Sequence, residues 1–114
     1  MPKALIVLHA PPDTADCRAL TALRLAGALL ADSKEVHLFL VEEGARLADP
    51  KLNADNPCRA LFYELLDVGL DVQVCGSTMK KLGWDEAYSL PGTHRGSMKA
   101  LSALMSAADE IITF

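Results

Sequence analysis

Short apolar runs that alternate with helical segments are the feature of this chain that most restricts its fold. Residues 4–8 are apolar at every position, and residues 36–41 are nearly so. Strands of this kind are buried on both faces, as they are in parallel sheets. Their alternation with helices predicts an α/β domain in which helices cover both faces of a parallel sheet.

Turn and capping signals divide the rest of the chain into the same two kinds of element. The predicted strands are residues 4–8, 36–41, 70–74 and 110–114, and a short strand can be added at 87–90. The predicted helices begin at Asp13 or Thr14, at Asn56 with Pro57, at Ser77 or Thr78, and at Ser97. Each start has a side chain that can accept a hydrogen bond from the first helical turn.

Length and composition indicate a single folded domain over residues 1–114, with one core. Hydrophobic residues make up 51% of the chain and charged residues 23%, which excludes a disordered protein. The apolar fraction is high for so small a domain. We therefore expect part of the apolar surface to be buried between subunits of a homo-oligomer.

Charge and motif content exclude several classes of partner. The formal net charge is -4 and no run of Lys or Arg occurs, which argues against nucleic acid. No segment approaches the roughly 18 consecutive apolar residues of a membrane span. Three cysteines without a regular framework indicate free thiols and a cytoplasmic protein. Neither metal-ligand spacing nor a glycine-rich phosphate loop is present, so no metal and no cofactor are expected.

Cys75 is the strongest candidate for a functional residue. It lies at the end of the third predicted strand, and the carboxyl ends of parallel strands form the usual ligand-binding edge. The amides of the following helix would stabilise a thiolate there. Gly76 leaves the backbone beside the sulfur open, and Ser77 and Thr78 complete the loop. The alternative is a buried cysteine that acts as a small hydrophobe, and position alone leaves both open.

The histidines give weaker signals. His9 follows the first strand at the same edge, and His94 with Arg95 lies in a glycine-containing loop that could fold over Cys75. An ordinary surface position is the alternative for each of them. His37 lies within an apolar strand and is expected to be a satisfied core or interface residue.

The other thiols and a carboxylate pair are expected to lie outside the site. Cys58 is placed at the opposite end of the α/β unit, away from the strand carboxyl ends, and Cys17 remains a weak second thiol near the edge. Glu42 and Glu43 are expected in a solvated turn, because adjacent side chains on an extended chain point in opposite directions.

Residues 74–83, Val-Cys-Gly-Ser-Thr-Met-Lys-Lys-Leu-Gly, resemble the cysteine loop of DsrE/DsrF-like proteins. The Pro-Asp loop after the first strand, residues 36–48 and the ending at 96–114 resemble the same family, so that the resemblance covers nearly the whole chain. It implies a three-layer α/β/α fold with a five-stranded, mostly parallel sheet, assembled as trimers or hexamers. Several members carry sulfur as a persulfide on a cysteine of this loop, a role that the resemblance gives to Cys75. One branch has a second cysteine where this chain has Thr78, so a disulfide within the loop is not available here.

Two functions are compatible with these observations. In the first, the protein is a sulfur carrier or sulfurtransferase that holds a persulfide on Cys75 and exchanges sulfur with donor and acceptor proteins. In the second, it is a non-catalytic oligomeric module that binds a small ligand or a partner at the carboxyl edge of the sheet.

Overall fold

A computed structural model describes residues 1–85 and 87–114, and its elements alternate as predicted. The strands are β1 (Lys3–Leu8), β2 (Glu35–Leu40), β3 (Asp71–Cys75), β4 (Thr93–Gly96) and β5 (Glu110–Thr113). The helices are α1 (Arg18–Ala31), α2 (Pro57–Asp67), α3 (Gly76–Lys81) and α4 (Met98–Ala107), and a 3₁₀ helix (Glu42–Ala48) follows β2. Among the described residues, no helix combines the length and the apolar character needed to cross a membrane.

The five strands form one sheet in the order β4-β3-β2-β1-β5, and every pairing is parallel. Helices lie on both sides of this sheet, so the predicted three-layer α/β/α fold is confirmed. β1 and β2 are central, which explains their apolar sequences, because a central strand between two helical layers is buried on both faces.

One face of the sheet, called the closed face below, is covered by α1 and α2. Leu23 of α1 and Phe62 of α2 are fully buried there, in one cluster with Ile6, Leu38 and Val72 of the sheet. The predicted start of α2 is confirmed, since the side chain of its capping asparagine accepts a hydrogen bond from the second helical residue and proline is the first.

The opposite face, called the open face below, is covered by α4. Its core is a smaller cluster of sheet residues, namely Leu5, Val7, Phe39, Val41 and Cys75. Leu101 and Leu104 of α4 pack on this cluster but are only partly buried, and none of the residues from Met98 to Ala107 is buried. Because α4 connects β4 at one edge to β5 at the other, a single helix crosses the whole face.

Two predicted helix starts are wrong. α1 begins at Arg18 and not near Asp13 or Thr14, because the Asp16 carboxylate accepts a hydrogen bond from the Arg18 N–H and holds the preceding residues in turns. α3 begins at Gly76, so that the strand continues directly into the helix without the expected cap at Ser77 or Thr78.

The fourth strand is also not where the sequence predicted it. β4 is Thr93–Gly96, which pairs with β3, whereas residues 87–90 belong to the connection before it. In that connection the Leu90 N–H donates to the carbonyl of Ala48, and the Leu90 side chain is buried in the closed-face cluster. Its apolar character therefore reflects core packing and not strand formation.

Candidate functional site

Cys75 is the last residue of β3 and directly precedes α3, at the carboxyl edge of the sheet. Its side chain lies on the open face and is 4% exposed. Gly76 packs closely against β4, because a Cβ at this position would lie 2.6 Å from Nε of Arg95 and 3.1 Å from the carbonyl oxygen of Gly96. The close approach of β4 thus fixes the backbone on one side of the thiol.

A cavity of about 460 Å³ lies beside Cys75 on the open face. Its apolar lining comes from the sheet and from α4, and consists of Val7, Val41, Met98, Leu101 and Met105. Its polar lining comes from the carboxyl edge, and consists of His9, Glu42, Ser77, Thr78, Lys81 and Thr113 with the thiol itself. An apolar pocket with a few convergent polar groups is the usual form of a small-molecule or substrate site.

The structure brings some of the sequence-predicted residues together at this cavity. His9, Ser77 and Thr78 line it with Cys75, as expected for neighbouring strand ends. Gly76 and Arg95 lie elsewhere, on a second cavity of about 400 Å³ that also contacts Trp84.

His94 is separated from this cavity as well. It belongs to edge strand β4, paired with Gln73 of β3, and it is absent from the described lining of the Cys75 cavity. Residues 93–96 therefore do not form a loop that folds over the thiol, because their backbone is engaged in the sheet.

Glu42 and Lys81 also line the cavity. Glu42 was expected in a solvated turn, and its side chain is exposed as predicted. Its carboxylate Oε1 nevertheless lies 2.9 Å from Nδ1 of His9. Its backbone N–H donates to the Thr78 hydroxyl at 3.0 Å. The available signal was its position directly after the second buried strand, at the edge where ligands bind.

Cys58 is at the same carboxyl edge, so its predicted placement at the opposite end is wrong. Its thiol donates to the carbonyl of Pro12, just beyond β1, at 3.8 Å. The reason is that a crossover helix begins where the preceding strand ends. Cys58 is 1% exposed within the closed-face cluster, and this burial raises the pKa of its thiol.

The remaining thiol and histidine lie away from the cavity. Cys17 is exposed at the start of α1. His37 is satisfied, as predicted, because its two ring nitrogens lie 2.7 Å from Asp71 and 2.8 Å from Glu35. Within the described ranges, no group of three or more His, Cys, Asp or Glu residues is arranged to hold a metal ion.

Residues 1–114 match the DsrE/DsrF-like family over their full length. The chain belongs to the DsrE/DsrF-like family. Its curated relatives include the uncharacterized protein MJ0989 of Methanocaldococcus jannaschii, which is 31% identical over 99 residues, 85% of this chain and 87% of that protein. The uncharacterized protein MK0008 of Methanopyrus kandleri is likewise 31% identical over 99 residues, 85% of this chain and 82% of that protein.

Solved structures share the fold of this DsrE/DsrF-like protein. The YchN protein of E. coli superposes with a TM-score of 0.86 at 22% identity, and both chains are covered completely. MTH1491 of Methanobacterium thermoautotrophicum, a protein of unknown function, superposes with a TM-score of 0.78 at 17% identity, again with complete coverage of both chains. The complete α/β/α architecture is thus common to all three.

Proposed function

We propose that this DsrE/DsrF-like protein holds sulfur as a persulfide on Cys75 and passes it to a partner protein. The observation that carries the proposal is the position of the thiol in the cavity wall at the carboxyl edge of the sheet. The matched family supports the same residue, because the resemblance of its cysteine loop to residues 74–83 gives Cys75 the role of sulfur carrier.

The proposed reaction is an exchange at sulfur that needs no external oxidant or reductant. The Cys75 thiolate attacks the outer sulfur of a donor persulfide, R–S–SH. The donor S–S bond breaks, a new S–S bond forms on Cys75, and R–S⁻ leaves. An acceptor thiolate then attacks the outer sulfur of the Cys75 persulfide and regenerates the Cys75 thiolate.

The lining of the cavity suits this exchange. The buried side chains of Val7 and Val41 form an apolar wall that limits water around a bound persulfide. The exposed side chain of Lys81 lines the same cavity and provides a positive charge there. Thr78 occupies the position of the second cysteine in the two-cysteine branch, so the proposed carrier holds its sulfur on one thiol.

The three cysteines allow a direct test by mass spectrometry. The protein is treated with glutathione persulfide, and addition of one sulfur atom is located by peptide mapping. We expect the sulfur on Cys75, and we expect Cys75→Ser to lose it. Uptake by Cys75→Ser equal to that of the parent would refute the proposal.

Cys58 and Cys17 provide the matched controls. Cys58→Ala removes a thiol that is buried to nearly the same extent but does not line this cavity, and it should retain uptake. Cys17→Ser removes the exposed thiol and measures uptake that depends on solvent access alone. These controls separate a site at Cys75 from general thiol reactivity.

We further propose that the protein acts as a homo-oligomer in the cytoplasm, where its free thiols would remain reduced. Self-association is supported by apolar side chains that remain exposed on or beside the open face, namely Met98 at 55%, Met105 at 43% and Ile111 at 47%. Trimers or hexamers are the assemblies that the family resemblance implies. A donor and an acceptor protein would then dock at the carboxyl edge.

A second function is favoured by the cavity itself, which is large enough for a small organic ligand. In this case the protein is an oligomeric binding module, and Cys75 is only part of the cavity wall. The same mass-spectrometric experiment separates the two functions, because a binding module acquires no sulfur on Cys75.

A further inference from the structure

His9 and Glu42 form a hydrogen-bonded pair in the wall of the cavity that contains the Cys75 thiol. They follow the adjacent central strands β1 and β2, and His9 Nδ1 lies 2.9 Å from Glu42 Oε1. Both side chains line the cavity that contains Cys75. The His9 side chain is 46% exposed, so protons can exchange between it and solvent.

The backbone of Glu42 is held in an unusual conformation at this point. Its φ is 52°, in the left-handed region that residues other than glycine rarely adopt. The Thr78 hydroxyl accepts the Glu42 N–H at 3.0 Å, which connects this residue to the helix that begins after Cys75. Non-glycine residues in this region concentrate at functional sites, where the surrounding structure holds them.

The loop is further fixed by Gly44, two residues on. A Cβ at Gly44 would lie 2.2 Å from the carbonyl oxygen of Leu8, so the backbone there packs directly against the end of β1. Leu8 precedes His9, and the glycine contact therefore sets the distance between the two loops. The His9–Glu42 contact therefore depends on backbone packing as well as on the hydrogen bond itself.

The hydrogen bond assigns the roles of the two imidazole nitrogens. A carboxylate can only accept, so Nδ1 carries the proton that it donates to Glu42. Nε2 is then the nitrogen with a free lone pair, and it makes no hydrogen bond to any described residue. A carboxylate that orients an imidazole in this way leaves the other nitrogen as a base.

We propose that His9 is the proton-transfer residue for sulfur exchange at Cys75 and that Glu42 positions it. This inference rests on the proposed persulfide function. Nε2 of His9 accepts the proton of the Cys75 thiol and leaves the thiolate. When that thiolate attacks the outer sulfur of R–S–SH, the departing R–S⁻ takes the proton from His9 and leaves as R–SH.

Bonds and protons balance over this cycle. One S–S bond breaks and one forms, the proton moves from Cys75 to the leaving group through His9, and His9 ends in its starting state. The other titratable groups at the cavity are Glu42 from the 3₁₀ helix and Lys81 from α3, whereas α4 and β5 contribute apolar and hydroxyl side chains.

The test measures the rate of sulfur uptake from glutathione persulfide against pH for the parent, His9→Asn and Glu42→Gln. The parent rate should depend on pH, because only the neutral imidazole can accept the thiol proton. His9→Asn should lower the rate by about 10²-fold or more and remove this dependence, as expected for loss of a general acid–base group. Glu42→Gln keeps an acceptor for Nδ1 and should give a smaller loss, with the pH dependence displaced.

His94→Gln is the matched control, since it removes an exposed imidazole from edge strand β4, outside the cavity lining. It should leave both rate and pH profile unchanged. Thermal melting checks that each variant is folded. Equal rates and profiles for His9→Asn and His94→Gln would overturn the role of His9.

A second measurement separates this inference from the proposed function. Alkylation of Cys75 by iodoacetamide needs no sulfur donor, and it should slow in His9→Asn if His9 accepts the thiol proton. If His9→Asn is alkylated more slowly but the parent takes up no sulfur, the persulfide function is refuted and the role of His9 as a base is kept. If the parent takes up sulfur, and both alkylation and uptake are unchanged in His9→Asn, the role of His9 is refuted and the persulfide function is kept.

Discussion

The two faces of the sheet differ in how completely their helices cover them. On the closed face, two helices contribute fully buried side chains such as Leu23 and Phe62. On the open face, α4 contributes only partly buried ones, such as Leu101 and Leu104. Stability therefore comes mainly from the closed face, while the open face retains space for a cavity and exposed apolar surface.

The two buried cysteines show what this difference means for chemistry. Cys58 and Cys75 both lie at the carboxyl edge, and they are 1% and 4% exposed. Cys58 is enclosed by the closed-face cluster, where burial raises the pKa of its thiol and disfavours the reactive thiolate. Cys75 instead borders a cavity. Neighbouring space, and not the exposed fraction, distinguishes the candidate nucleophile from the structural thiol.

The largest predicted effect is a difference in stability between the same substitution on the two faces. Leu23→Ala should lower the free energy of unfolding by about 2 to 5 kcal/mol, the range for a fully buried leucine. Leu104→Ala should cost about 1 to 2 kcal/mol, because its side chain is only partly buried and its surroundings can relax. Urea unfolding at low protein concentration measures both. Losses of equal size would contradict the distinction between the faces.

A smaller effect is expected from the Cys58 thiol at alkaline pH. Burial raises its pKa in the folded protein, whereas an unfolded thiol titrates near about 8.5. Below that pH the thiol is neutral in both states, and its full contribution is present. As the pH rises towards the folded pKa, the unfolded state loses its proton first, and stability falls.

Cys58→Ala isolates this effect from the other groups that titrate at high pH. The difference in free energy of unfolding between the parent and Cys58→Ala should shrink from pH 7 to pH 10 in the presence of a reductant. A Cys58 difference that is independent of pH would show that this thiol is not desolvated.

A difference in burial also explains which strands could be predicted from the sequence. β1 and β2 were recognisable because burial on both faces demands apolar residues throughout. β4 was not, because an edge strand pairs on one side only and includes the exposed polar residues His94 and Arg95. An apolar pattern indicates which residues are buried. β4 is a strand because its backbone pairs with β3, and that pairing leaves no apolar pattern in the sequence.

The site was predictable to a similar degree. The place of Cys75 follows from local order along the chain, since a strand is followed by a helix. The contact between His9 and Glu42 joins residues 33 positions apart and depends on the adjacency of β1 and β2. It also requires the left-handed backbone conformation of Glu42, which a glutamate in the sequence does not predict.

The smallest predicted effect on stability, from Ile111→Lys, tests whether the open face is where subunits meet. Ile111 pairs with Leu5 in the sheet and is 47% exposed, so lysine should change the free energy of unfolding of the monomer by about 0.5 kcal/mol or less. It should nevertheless dissociate the proposed oligomer, because association would bury the added charge.

Val68→Lys is the matched control at the end of α2, where the valine is 66% exposed. Light scattering coupled to size-exclusion chromatography should give a smaller mass for Ile111→Lys alone. Dissociation by Val68→Lys, with Ile111→Lys still assembled, would move the interface away from the open face.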